Sequence, residues 1–205
     1  MSAETIPLNT DPLNTDRPKA TKSEAEEAVR TLLSYFGEDP MREGLLDTPR
    51  RFVDAYEEFL AGYKEDPTEI LSRTFEEVEG YDDIVLLKDI RIESHCEHHI
   101  QPLIGVAHVA YLPSDKVVGI SKIARVVDAY SRRLQSQEIL TNQIATSIEH
   151  ALKPRGVAVL IDAKHYCITT RGVHKKDVSC VTRAMTGSFK DDENLEARFY
   201  RLIGA

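Results

Sequence analysis

Two short segments of the chain place cysteine close to histidine: Ser94-His-Cys-Glu-His-His-Ile100 and Lys164-His-Tyr-Cys-Ile168. Cys96 and His99 are three residues apart, a spacing at which a tight turn converges thiolate and imidazole on one ion. His165 and Cys167 are two apart, and on a strand such residues face the same side. Thiolate plus imidazole is the donor mixture that suits Zn²⁺. Cys96, His99 and Cys167 together make a Cys₂His set with one coordination position left for water. That is the arrangement of catalytic zinc, whereas structural sites close the shell with four ligands. A closed set with His165 as fourth ligand is the competing reading of the same spacing. In the open set His98 and His165 remain beside the ion, where a free imidazole suits proton transfer near neutral pH. Cys180 stands apart and reads as a small buried apolar residue. His95, His108, His150 and His174 have no comparable grouping and read as structural.

A second feature is local basicity. Gly119-Ile-Ser-Lys-Ile-Ala-Arg125 puts Ser121, Lys122 and Arg125 at i, i+1 and i+4 of an expected helix start. Hydroxyl, ammonium and guanidinium would then join the unpaired N–H groups of a helix N-terminus, a combination that suits phosphate. A solvated basic face is the plain alternative. Arg171, Lys175-Lys176 and Arg50-Arg51 could add to such a pocket. Gln137-Glu138 precedes an apolar helical run. The carboxylate there is either a favourable first-turn charge or an acceptor for two N–H donors of a guanine-like edge.

The elements that must carry these residues follow from periodicity and punctuation. Residues 1–22 hold a tandem Pro-Leu-Asn-Thr-Asp repeat with little that is apolar, and read as a disordered tail. Residues 23–80 read as an acidic helical region. Ser23-Glu-Ala-Glu26 fits a capping box, Thr48-Pro49 opens a second helix, and Asp66-Pro67 opens a short third. From residue 81 to 205 the pattern is strand, strand, helix, helix, strand, strand, then a terminal helix. The first strand runs through Ile84, Leu86, Ile90 and Ile92 with a bulge near Lys88, and the second covers Val106 to Leu112. The later strands are Val157 to Ala163 and Val181 to Phe189. This order predicts an α+β domain, an antiparallel sheet with helices on one face.

The chain has 205 residues, enough to bury one sizeable core without disulfides. Its 26 Lys+Arg against 34 Asp+Glu give a net charge of −8, which argues against broad nucleic-acid or anionic-membrane binding. No apolar run approaches the roughly 18 residues of a membrane span, and the N-terminus lacks a secretory pattern. Three cysteines, an odd count, point to a reducing compartment, the cytosol.

Cys96-Glu-His-His99, Gly119-Ile-Ser-Lys-Ile-Ala-Arg125, Ser131-Arg-Arg-Leu-Gln135 with Gln137-Glu138, and His165-Tyr-Cys167 through Arg171-Gly172 together closely resemble the zinc-dependent GTP cyclohydrolase I family. The resemblance runs from about Ser23 to the C-terminus, with Thr48-Pro-Arg-Arg51 fitting as well. It implies the tunnelling fold, in which antiparallel four-stranded sheets of many subunits assemble into a barrel, here a homodecamer with active sites at subunit interfaces. It implies zinc on Cys96, His99 and Cys167, with His98 and His165 as acid/base groups. Ser121, Lys122, Arg125 and Arg171 would contact triphosphate and ribose, Arg51 would add a contact from a neighbouring subunit, and Gln137 and Glu138 would hold the guanine ring. The implied reaction takes GTP and water to 7,8-dihydroneopterin triphosphate and formate, through attack at C8 while a histidine protonates N7. Ser136 and Ile139 depart from the family pattern and read as packing variation. The rivals are a non-catalytic zinc-stabilised assembly and a related tunnelling-fold enzyme for another pterin or a deazapurine.

Overall fold

The computed structural model describes residues 19–75 and 81–205. The expected tail over 1–22 therefore lies mostly outside the described residues. By internal packing the chain divides into two units, Met1–Ala61 and Gly62–Ala205. No helix among the described residues is long and apolar enough to cross a membrane.

In the first unit, helix α1 (Lys22–Tyr35) packs on α2 (Thr48–Phe59). The capping box of α1 is Thr21 with Glu24, two residues before the expected one. Thr21 Oγ1 accepts from the Glu24 N–H at 3.2 Å, and the Glu24 carboxylate accepts from the Thr21 N–H at 2.7 Å. Both Thr21-x-x-Glu24 and Ser23-x-x-Glu26 fit the pattern, and the earlier pair lengthens the helix.

The second unit holds the sheet. Its elements in order are α3 (Pro67–Leu71), β1 (Thr74–Phe75), β2 (Val85–Cys96), β3 (Gln101–Leu112), β4 (Val117–Val118), α4 (Ile120–Ser131) and β5 (Leu134–Gln135). They continue with α5 (Gln137–Leu152), β6 (Gly156–His165), α6 (Tyr166–Thr169), β7 (Cys180–Met185), α7 (Ser188–Asp191) and α8 (Glu193–Ile203). The main sheet has the order β5-β2-β3-β6-β7, while β1 and β4 pair separately. Four long antiparallel strands match the expectation of a four-stranded sheet. The two-residue β5, parallel to β2, is an addition.

Both sheet faces are covered, which is why β6 reads as an unbroken apolar run. Val157, Val159 and Ile161 pack with Ala107, Val109 and Tyr111 against Ile123, Val127, Leu140, Ile144 and Ile148 of α4 and α5. Ala158, Leu160, Ala110 and Leu112 face the other way, onto Phe189 of α7 and Phe199 of α8. The long helices thus lie on one face as expected, and the two C-terminal helices cover part of the other. The fourth strand stops at Met185 and does not run on to Phe189. Gly187 turns the chain at φ +49°, where a Cβ would meet the Arg155 carbonyl oxygen at 2.2 Å. Phe189 then starts a helical turn and meets the Phe199 ring edge-on at 6.1 Å.

The expected bulge is present. Pairing of β2 with β3 shifts between Leu87 and Ile90, and Asp89 takes φ +59°. Val85 and Leu87 face the helices before the bulge, and Ile90 and Ile92 do so after it. A one-residue slip exchanges the two faces of a strand. The bulge therefore puts Ser94 and Cys96 on the helix-covered side.

Two predictions follow from this packing. A Cβ on Gly105 would lie 2.1 Å from the Asp162 carbonyl oxygen and 2.5 Å from the Ala163 Cα, so β3 and β6 would have to part. Gly105→Ala should cost about 3 kcal/mol in urea unfolding; a loss near zero would mean the strands are less closely apposed. Burial pulls the imidazoles of His95, His108 and His165 below their usual range, so the unfolded chain binds protons more readily than the native one. Stability should therefore be full above about pH 6.5 and decline as pH falls below it. A urea midpoint that rises on acidification from pH 7 would contradict this.

Candidate metal centre

Strand register brings the two cysteine–histidine segments together. Leu103 in β3 pairs with Ser94 of β2 on one side and with His165 of β6 on the other. Because β2 and β6 both run antiparallel to β3, they leave the sheet at the same end. Cys96 and Cys167 each lie two residues beyond those pairing partners.

The turn after β2 does the rest. The Ile100 N–H donates to the Cys96 carbonyl at 2.8 Å, and Ile100 takes φ +52°, uncommon for a β-branched residue. This reversal returns His99 over Cys96. Short strand β5 pins the same corner: the Glu97 N–H donates to the Gln135 carbonyl at 3.0 Å. The segment before β5 is anchored by Arg133, whose buried guanidinium donates to the Ala129, Gly62 and Glu65 carbonyls and lies over Tyr130 and Tyr63.

Cys96 Sγ, a His99 ring nitrogen and Cys167 Sγ lie within 4.8 Å of one another. Among the described residues no fourth His, Cys, Asp or Glu atom joins them. Both thiols are buried and His99 is exposed, so the group opens to solvent on the imidazole side. The donor set fits zinc: two soft sulfurs and one imidazole, with a free position. Burial, and next the adjacent Cys96, push the Cys167 thiol up, with Arg171 a smaller opposing influence. A divalent cation at that point would reverse the balance and favour thiolate.

Cys167 differs from expectation in one respect. The strand ends at His165, and Cys167 sits in the single helical turn α6 rather than on the strand. Thr169 and Thr170 close that turn by donating to the His165 and Tyr166 carbonyls at 3.0 and 2.7 Å. The Thr-Thr-Arg-Gly run after Ile168 is the local signal for it.

The two free histidines take different places. His98 is exposed, with Nδ1 3.6 Å from Cys96 Sγ. His165 is half-buried and its Nε2 lies 2.8 Å from Gln137 Oε1. It lies outside the group of donor atoms within 4.8 Å of one another. Burial lowers the His165 pKa while the Glu138 carboxylate acts the other way.

Gln137, expected at the guanine ring, has its side chain turned inward. It is 1% exposed, and its amide nitrogen is committed to the Ile161 and Cys180 carbonyls and Thr182 Oγ1. This inward role has no spacing signature in the sequence. Glu138 beside it is exposed on the first turn of α5, a helix capped by Ser136 through a 3.3 Å bond from the Ile139 N–H. Ser121 and Arg125 are exposed and Lys122 half-buried on the first turns of α4, as expected. Among the described residues no hydrogen bond or ion pair links Ser121, Lys122 or Arg125 to the cysteine–histidine group. Arg171 is exposed just after α6. Arg51 lies on α2 of the first unit, paired with Asp47 at 3.1 Å.

The family model for GTP cyclohydrolase I matches residues 25–204. GTP cyclohydrolase 1 of Maricaulis maris (strain MCS10) is 60% identical over 185 residues, covering 90% of this chain and 90% of the relative. GTP cyclohydrolase 1 of Hyphomonas neptunium (strain ATCC 15444) is 56% identical, covering 91% and 90%. The Brucella abortus (strain S19) protein of that name is also 56% identical, covering 97% and 93%. Among solved structures, the archaeosine synthase QueF-Like in the apo form aligns at 24% identity over 51% of this chain and 93% of that chain. Its TM-score of 0.43 is too low to add to the argument. With its two cysteine–histidine segments brought together at one corner of the sheet and its sequence matched almost end to end, the chain belongs to the GTP cyclohydrolase I family.

Proposed function

We propose that the chain hydrolyses GTP to 7,8-dihydroneopterin triphosphate and formate, the first step of pterin and tetrahydrofolate synthesis, at a zinc ion on Cys96, His99 and Cys167. The observation that carries this reading is the open three-donor group with two further imidazoles nearby. Zinc bound there would supply Lewis acidity, making a hydrolytic nucleophile available near neutral pH.

The chain's own groups supply the remainder. His165, held at the rim by Gln137, is placed to hold and deliver a proton to the purine ring, and His98 offers a second imidazole on the exposed side. The exposed Glu138 carboxylate can accept two N–H bonds from a guanine edge. Ser121, Lys122 and Arg125 present hydroxyl and cationic groups with the N-terminus of α4, which suits a triphosphate, and Arg171 adds charge beside Cys167. As the family resemblance implies, the pocket is completed by neighbouring copies in a homodecamer, with Arg51 reaching in from an adjacent subunit. Positioning by these contacts reduces the entropy lost in the chemical step. The free thiols of Cys96, Cys167 and Cys180 suit a reducing compartment, and we place the protein in the cytosol.

Zinc-loaded protein incubated with GTP should release formate and a product that becomes a fluorescent pterin on oxidation; a zinc-replete sample that converts nothing rules the reading out. Cys167→Ser should lose metal and turnover together, and retained stoichiometric zinc would show the ligand set to be wrong. His165→Ala should keep its metal while ring opening slows by about 10²–10⁴-fold, the range for a lost general acid; near-normal turnover would move that role elsewhere.

A further inference from the structure

We infer that Gln137 is a positioning residue that fixes His165 as the Nε2–H tautomer and leaves Nδ1 as the nitrogen that meets substrate. The inference deepens the proposed function, since it rests on His165 being the proton-exchanging group.

The argument is one of donors and acceptors. A glutamine side chain has two N–H donors on nitrogen and one acceptor oxygen. Gln137 Nε2 lies 3.1 Å from the Ile161 carbonyl, 2.9 Å from the Cys180 carbonyl and 3.0 Å from Thr182 Oγ1. Backbone carbonyls only accept. A flipped amide would set its oxygen against two carbonyl oxygens, so the orientation is dictated by chemistry.

The threonine pair agrees with it. Thr141 Oγ1 donates to the Gln137 backbone carbonyl at 2.7 Å, which uses the only proton it has. In the 2.7 Å contact between Thr141 and Thr182, Thr182 must then be the donor. Its oxygen is left to accept from Gln137, as the amide orientation requires. With two protons for three acceptors the amide nitrogen shares one of them, and every proton of the network still faces an acceptor.

Gln137 Oε1 therefore points at His165 Nε2, 2.8 Å away, and it can only accept. Nε2 must carry a hydrogen. In the neutral ring the lone pair is then on Nδ1. Because Gln137 is anchored to β6 through Ile161 and to β7 through Cys180 and Thr182, the ring is oriented from the core side and not by the ligand. The guanine contact expected of Gln137 is replaced by a role one step removed from substrate.

The test uses the full-length zinc-loaded protein labelled with ¹⁵N-histidine, with His165 assigned by its disappearance in His165→Gln. At about pH 8, where an ordinary imidazole is neutral, the wild-type ring should show a protonated Nε2 and an unprotonated Nδ1. Gln137→Leu should shift both nitrogens towards the averaged values of exchanging tautomers, while kcat falls about 10–100-fold and KM changes less than about twofold. Gln137→Glu should not rescue turnover, because a carboxylate has nothing to donate to the Ile161 and Cys180 carbonyls. A wild-type Nδ1–H signature overturns the inference, as does an unaltered His165 spectrum in Gln137→Leu, or a raised KM with kcat intact. The wild-type spectrum needs no variant, so a Gln137→Leu protein that fails to fold leaves the test decisive. It also needs no GTP turnover: a correct tautomer in an inactive wild type would sink the proposed reaction and not the role of Gln137.

Discussion

The structure depends on one register. Leu103 sits between Ser94 and His165, and that pairing makes two strands far apart in sequence end at the same corner of the sheet. Each strand carries a cysteine two residues further on. A shift of β2 by one residue would turn Cys96 to the opposite face, and the bulge at Asp89 is what sets the phase. A packed core with cover on both faces resists such slippage, because any other register would put the apolar residues of β3 and β6 in the wrong layer.

The corner gains its chemistry from unequal burial. The two thiols are buried while His99 faces outward, and burial pushes the Cys167 thiol up. The group offers two sulfurs and one imidazole that could hold a metal ion. His165 is held from behind by the Gln137 amide, itself fixed by the Ile161 and Cys180 carbonyls, so its ring orientation is set by the core. Arg133, buried with no carboxylate partner among the described residues, is held by carbonyl oxygens and two aromatic faces. It steadies the segment that leads into β5 and so the turn bearing His98 and His99.

Much of this was legible in the sequence where the determinants are local. Cys-x-x-His at a turn, the helix beginning at Gly119-Ile-Ser-Lys, the Asp66-Pro67 start and the bulge near Lys88 all depend on a few neighbouring residues. Long-range determinants escaped. Strand alternation placed Cys167 beside His165 on a strand, but the chain coils into a helical turn whose threonines find carbonyls already in reach. Phe189 reads as the end of a strand because a short apolar run has no distinctive period; a glycine in the left-handed region sends it into the core instead. For Gln137, the motif implies a place at the guanine ring and carries no sign of its inward hydrogen bonds. Only the fold brings the Ile161 and Cys180 carbonyls to its amide, and no spacing along the chain encodes that.

Zinc-edge X-ray absorption on the purified full-length protein tests the central claim most directly. The account predicts two sulfur scatterers at about 2.3 Å and two lighter atoms nearer the ion, with the multiple-scattering pattern of a single imidazole. A shell with two imidazoles, or one closed by four protein donors, would contradict it.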